Sequence, residues 1–246
     1  MKSAGNDIVA LQFIDAPRTR EFRFYSKILS SSEKSLYERH QLANLPFENF
    51  VWLLWSIKES VYKYLKRNFP NLLFSPTKFC IQDIEISTVT LTEDFAFSLS
   101  GKFGRCEEFY CGKIIFGTHI LYFRSQITAD WIASVVNDDQ SFRNVCWGIN
   151  SIKDASYCHQ SEAVRALLLV NLRRYFNGNL EIAKHSSGYP VVLNDKEDLK
   201  IPVSLSHDGY FIAYSFKYPA IIECNELILS TARNERSKEN PSLVSA

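Results

Sequence analysis

Apolar positions along this chain recur in two distinguishable periods. Between Pro46 and Arg67, residues Val51, Leu54, Trp55, Val61, Tyr62 and Leu65 are spaced by three, four and seven, which predicts an amphipathic helix. Pro46 stands near its start, basic residues crowd its end, and Phe69-Pro70 closes it. Upstream, residues 5–14 (GNDIVALQFI) read as a short apolar strand entered through a Gly-Asn-Asp turn. Ser31-Ser32-Glu33 signals a helix start within 26–42. From 79 to 125 the period drops to two, in Ile81–Ile86 and again in Phe95–Leu99, which predicts strands.

The second half repeats that order. A helix is expected at 127–137, followed by a polar stretch and a second amphipathic helix at 161–176, stopped by Asn177-Gly178. Hairpins are expected at 180–193, turning on Ser187-Gly188, and at 201–216, turning on Asp208-Gly209. Helix then strands, twice over, predicts an α+β fold of two similar halves, each a long helix packed on an antiparallel sheet. The expected division is 1–125 and 126–229, with a polar tail over 230–246.

Composition narrows the partners. Hydrophobic residues make up 46% of the chain and charged residues 22%, an ordinary globular mixture. Lys and Arg number 28 against 27 Asp and Glu, a net charge of +1, so a nucleic-acid binder acting through bulk charge is excluded while a local basic pocket is not. The longest uncharged apolar runs, Asn49–Ile57 and Ile114–Phe123, fall short of the ~20 residues that span a bilayer. Asp7 falls where a signal peptide would need its apolar stretch, so neither membrane insertion nor secretion is expected. The six cysteines (Cys80, Cys106, Cys111, Cys146, Cys158 and Cys224) form no C-x-x-C pair and read as reduced thiols of a cytoplasmic protein.

Chemistry concentrates at three places. On the long helix, Lys58-Glu59 precedes Lys63, and Glu59 and Lys63 share one face a turn apart. A surface ion pair is the plain reading, but Trp52 and Trp55 flank this helix, and a half-buried carboxylate needs a stronger partner than one lysine. Asp7, at the strand entrance, is either a turn residue or a hard oxygen ligand that with Glu59 would bind Mg²⁺. A carboxylate pair beside a lysine suits phosphoryl-type chemistry, where metal and cation offset charge on the transferring group. Ser206-His207 lies next to a hairpin turn, where hydroxyl, imidazole and backbone N–H groups could converge on an anion; alone, the dipeptide would read as an ordinary hairpin histidine. Neighbouring strand residues face opposite ways, which argues against a Ser-His nucleophile–base pair.

Taken in order, GNDIV, WSIKESVYK and VSLSHDGYFIAYSF resemble the three motifs of the 4′-phosphopantetheinyl transferase superfamily: a G-x-D-[IV]-[VE] strand, a W/F-x-x-K-E-[AS]-x-x-K helix and an S-[LI]-S-H hairpin. Gly188-Tyr189-Pro190 resembles the family's intervening Gly-x-Pro hairpin. RFYSKILSSSE (23–33) is similar to the segment after the first motif in holo-acyl-carrier-protein synthases. The motif order is that of those small synthases, whereas the length is that of two-lobed members, which implies a pseudo-dimer of two lobes, active as a monomer with one cleft between them.

The resemblance implies transfer of the phosphopantetheine arm of coenzyme A to a serine of an acyl or peptidyl carrier protein, in fatty acid or polyketide biosynthesis, releasing adenosine 3′,5′-bisphosphate. Carried over, it implies that Asp7 and Glu59 hold Mg²⁺ and that Glu59 helps to remove the serine proton, directly or through a metal-bound water. Lys63 would lie over the transferred phosphate, and Ser206 and His207 would meet coenzyme A phosphates. Two positions depart from the pattern. Val9 replaces a third carboxylate of the two-lobed members, and Tyr189 replaces the lysine of Gly-Lys-Pro, for which Lys184, Arg165 or Lys78 are the candidate substitutes. The competing class is a coenzyme A or carrier-protein binding module of the same fold without turnover.

Overall fold

The structure is a computed structural model that describes residues 4–39, 42–89 and 107–218. The expected strand at Phe95–Leu99, the tail over 230–246, Cys106 and Cys224 lie outside the described residues.

Strand β1 (Gly5–Ala10) is followed by the short helices α1 (Ala16–Thr19), α2 (Phe22–Tyr25) and α3 (Ser31–Tyr37), and then by the long helix α4 (Phe47–Lys66). Next come β2 (Cys80–Ile81), β3 (Glu85–Val89), β4 (Glu107–Phe116), β5 (His119–Ile127), β6 (Trp131–Asn137) and β7 (Val145–Ser151). Helix α5 (Tyr157–Leu172) precedes β8 (Leu180–Lys184), β9 (Pro190–Asn194), β10 (Glu197–Asp198), β11 (Val203–Asp208) and β12 (Phe211–Lys217). The first sheet runs β1-β6-β5-β4-β2 with β3 also on β4, the second runs β11-β12-β7, and a small third runs β10-β9-β8. Every pairing is antiparallel, which makes this an α+β protein.

Alternation along β1 organises the core. Val9 points to the α4 side, packing in a cluster with Ile57, Val61, Phe123 and Ile132. Ile8 points the other way, into a cluster shared with Val135 of β6, Trp147 and Ile149 of β7 and Ala213 of β12. Helix α5 covers the far side of the second sheet through Leu168 and Leu172 against Val203, Tyr214 and Phe216. Apolar burial therefore runs helix, sheet, sheet, helix, the first two drawn from residues 5–137 and the last two from residues 145–217. Lys217 staples the connection between them, its Nζ donating to Asn137 Oδ1 and Asp138 Oδ1, each at 2.9 Å.

Helix α4 fills the positions its spacing predicts. The small helix α3 starts at Ser31, where its signal begins, with Ser30 as the N-cap: its Oγ accepts from Glu33 N while Glu33 Oε2 accepts from Ser30 N. Residues 11–13 form a 3-10 turn, so the first strand stops at Ala10. The second long helix spans Tyr157–Leu172 rather than 161–176.

One expectation fails outright. Residues 127–137 are not helical: Trp131–Asn137 form β6, paired on both edges, with β1 and with β5. Thr128 Oγ1 accepts from the backbone N–H of Asp130 and of Trp131, which turns the chain into the strand. Buried along its whole length, β6 shows no period of two, and an apolar run of that kind cannot be told from a buried helix by pattern. The polar stretch after it conceals β7.

Candidate active site at the meeting of the edge strands

The geometry begins at Gly5. A Cβ there would lie 2.1 Å from the carbonyl oxygen of Ser60, so only glycine lets β1 rest directly on the α4 backbone. That contact places Asp7, two residues on and on the same side, over the next turn of the helix. Lys63 Nζ donates to Asp7 Oδ1 at 2.8 Å and lies 3.4 Å from Glu59 Oε1. The plain reading of Glu59 and Lys63 as a surface pair is thus replaced by a triad with a buried strand carboxylate.

Burial decides the electrostatics. It pushes the Asp7 carboxyl up from the usual 3.8 to about 7; Lys63 pulls it down and Glu59 pushes it further up. Burial also opposes the charge on Lys63, but Asp7 and Glu59 outweigh it and raise the ammonium pKa. Asp7 Oδ2 is buried without a hydrogen-bond partner among the described residues. An orphaned carboxylate oxygen beside a second carboxylate suits a hard divalent cation. Among the described residues no group of three or more His, Cys, Asp or Glu side chains could hold a metal, so water or ligand oxygens would complete its shell.

The raised carboxyl has a consequence for stability. Across the window from 3.8 to about 7 the unfolded chain gives up the Asp7 proton while the folded protein keeps it, so stability falls as pH rises through that window. Asp7→Asn should therefore raise the melting temperature at pH 8 and leave it near the wild-type value at pH 4, with Glu59, His207 and Asp208 facing the same cleft and Lys63 bonded to Asp7. Equal melting differences at both pH values would remove the buried carboxyl as their cause.

Across from β1 stands β11, the edge strand of the second sheet. Asn6 joins the two: its backbone N–H donates to Ser204 Oγ at 3.1 Å, its Nδ2 donates to Ser206 Oγ at 2.7 Å, and its Oδ1 accepts from Ser215 Oγ at 3.3 Å. Asp208 Oδ2 adds a bond from Ala10 N at 2.8 Å. Ser206 is buried against Asn6, while His207 projects the other way, edge-on to Tyr157 of α5 at 5.5 Å between ring centroids. This confirms that Ser206 and His207 face opposite ways. His207 nevertheless lines the same cleft of about 360 Å³ as Asp7, Glu59 and Asp208, walled by Trp52 and Trp55. Burial, with Lys63 and Arg165 nearby, lowers its pKa, and Asp208 partly offsets this.

Structure thus brings Asp7, Glu59, Lys63 and His207 to one place and sets Ser206 just behind it. Of the substitutes for a lysine at position 189, Arg165 acts electrostatically on His207, whereas among the described residues neither Lys184 nor Lys78 forms an ion pair with Asp7 or Glu59. Asn6 and Asp208 read from the sequence only as turn residues, and their bonds between β1 and the second sheet carried no signal. Lys58, beside Glu59, is fully buried instead: its Nζ donates to Glu33 Oε2 and to Ile28 O, both at 2.6 Å.

A buried carboxylate on an edge strand, paired with a lysine that also meets a glutamate one helical turn away and facing a histidine-bearing hairpin, is an arrangement chemically suited to an anion and a divalent cation. Its family is shown directly. The chain belongs to the 4′-phosphopantetheinyl transferase superfamily, whose family model matches residues 3–136, from β1 through β6. That stretch includes Asp7, Glu59 and Lys63, and leaves out the Gly-x-Pro and Ser-His hairpins. A comparison with curated proteins finds no match. No helix among the described residues is long and apolar enough to cross a membrane.

Proposed function

We propose that the protein transfers the 4′-phosphopantetheine arm of coenzyme A to a serine of an apo acyl or peptidyl carrier protein, as holo-acyl-carrier-protein synthases do. What supports this most is that Asp7 and Glu59, both paired with Lys63, line one cleft with His207. Superfamily membership supplies the transferase class.

In this reading Asp7 and Glu59 would hold Mg²⁺, which when bound supplies positive charge against the pyrophosphate of coenzyme A. Lys63, kept cationic by its two carboxylates, stands over the transferred phosphorus and offsets charge on its oxygens. Glu59, whose side chain is 28% exposed, reaches the cleft from the solvent side and accepts the proton of the incoming serine hydroxyl. The serine oxygen forms a bond to phosphorus, the phosphorus–oxygen bond within the pyrophosphate breaks, and adenosine 3′,5′-bisphosphate leaves with the electron pair. His207, held largely neutral by burial, donates from its ring N–H to a coenzyme A phosphate, with Ser206 beside it. The partner contributes the attacking hydroxyl, which accounts for the lack of an activated serine in the triad.

The chain reads as a pseudo-dimer of two lobes in outline 1–125 and 126–229, with β6 belonging to the sheet of the first. A single chain then holds the whole cleft and works as a monomer. The reaction belongs in the cytoplasm, where Cys80, Cys111, Cys146 and Cys158 stay as the free thiols they are in this fold.

Incubating the protein with coenzyme A, Mg²⁺ and apo-carrier proteins, and weighing the carriers by mass spectrometry, tests the reading. Addition of the phosphopantetheine mass, dependent on Mg²⁺, is the expected result. Binding of coenzyme A without any transfer, across carriers of both the acyl and peptidyl type, would overturn it in favour of a non-catalytic binding module.

A further inference from the structure

Lys63 has a second side. Paired with two carboxylates of the first cleft, it lines a separate cleft of about 340 Å³ between the end of α4 and the Gly188-Tyr189-Pro190 turn. Lys63, Lys66 and Arg67 all face this cleft, and its lining includes no carboxylate. The neighbouring cleft carries Asp7, Glu59 and Asp208. Lys63 therefore stands on a divide between an acidic compartment and a basic one.

Arg67 is fixed in the basic compartment by the residue that replaces the family's hairpin lysine. Its guanidinium lies 4.7 Å from the centroid of the Tyr189 ring, which His185 stacks against at 4.4 Å. Its Nη2 donates to Pro190 O at 2.8 Å and Val203 O at 3.3 Å. Both acceptors are neutral carbonyls; no carboxylate among the described residues forms an ion pair with Arg67, and Asp198 acts on it only from a distance. Burial lowers its pKa, yet a guanidinium stays charged. A part-buried cation held by carbonyls and a ring, with Nη1 and Nε uncommitted, is a prepared seat for an anion with more than one oxygen to offer.

We propose that Arg67 is the specificity-determining cation for the phosphomonoester of coenzyme A, replacing a lysine at position 189, with Lys66 lining the same cleft. This rests on the transfer reading. There the pyrophosphate lies on the acidic side of Lys63 with the metal, and the phosphomonoester is the anionic group of coenzyme A left to be matched. The ring of Tyr189 supplies no charge; it orients a charge delivered from the helix end.

Titration calorimetry with coenzyme A and with 3′-dephospho-coenzyme A tests this. Arg67→Gln should bind coenzyme A about tenfold to a hundredfold more weakly than wild type, the loss expected of a charge-assisted phosphate contact, and should bind the dephospho ligand as wild type does. Adding Tyr189→Lys to Arg67→Gln should recover at least part of the lost affinity, and circular dichroism melts establish that both variants are folded. Unchanged coenzyme A affinity in Arg67→Gln, an equal loss for both ligands, or a double variant no better than the single one would overturn the assignment. Wild-type protein that binds neither ligand would defeat the transfer reading itself, an outcome distinct from those three.

Discussion

Glu59→Ala should fold as the wild type does and lose transfer by roughly 10²–10⁴-fold, the usual contribution of a positioned general base. The side chain removed is partly exposed, and its one recorded ionic contact is to Lys63, which keeps Asp7. Little packing is lost, so melting temperature is the control and carrier modification is the readout. Mixing this variant with His207→Ala should restore no activity, because both groups line one cleft of one chain. Wild-type turnover by Glu59→Ala would remove it from the chemistry. Recovery on mixing would mean that lobes pair between chains.

Lys58→Ala, one residue earlier, should fail in the opposite way. Lys58 and Glu33 form an ion pair in which both side chains are fully buried. Glu33 also accepts from Ile81 N at 3.0 Å and caps α3, so it cannot move to water when its partner goes. Breaking a buried pair by removing one partner costs about 3–5 kcal/mol, a large share of the ~5–15 kcal/mol that holds a domain. Urea denaturation should show the midpoint falling sharply in Lys58→Ala. Glu33→Gln combined with Lys58→Met should recover part of the loss, since no uncompensated charge remains. A Lys58→Ala protein as stable as wild type would show that this lysine anchors nothing. Adjacent letters of one motif thus face a buried ion pair and the cleft separately, because a helix turns them to different sides.

Legibility from sequence followed the physics of each element. Helix α4 was readable because one face is buried and one is wet, and the Asp7, Glu59 and Lys63 positions were readable because polar residues in an apolar setting need a reason. Strand β6 was not, because burial on both faces erases the alternation that marks a strand. Lys58 gave no hint that it differs from Lys63: its partner Glu33 lies far away in the chain, and only tertiary packing pairs them. Arg67 reads as an ordinary basic residue at a helix end until Tyr189 is seen beneath it.

Asn6 carries a consequence for how the chain finds its fold. Side chains on a strand alternate, so sliding β1 by one residue along β6 would exchange the two sides of every position on it. Shifted so that Asp7 takes the place of Ile8, the carboxylate would be driven among Trp147, Ile149 and Ala213, and the amide of Asn6 would lose Ser204, Ser206 and Ser215 for the place that Asp7 leaves beside Lys63. The carboxylate would be buried without a partner, which costs about 1–3 kcal/mol or more for a charged group, and the three serines would lose the amide that joins them. The misaligned chain is therefore penalised twice by the same shift. Asn6 acts as an index mark beside the carboxylate: the strand is accepted in the one alignment that delivers Asp7 to Lys63.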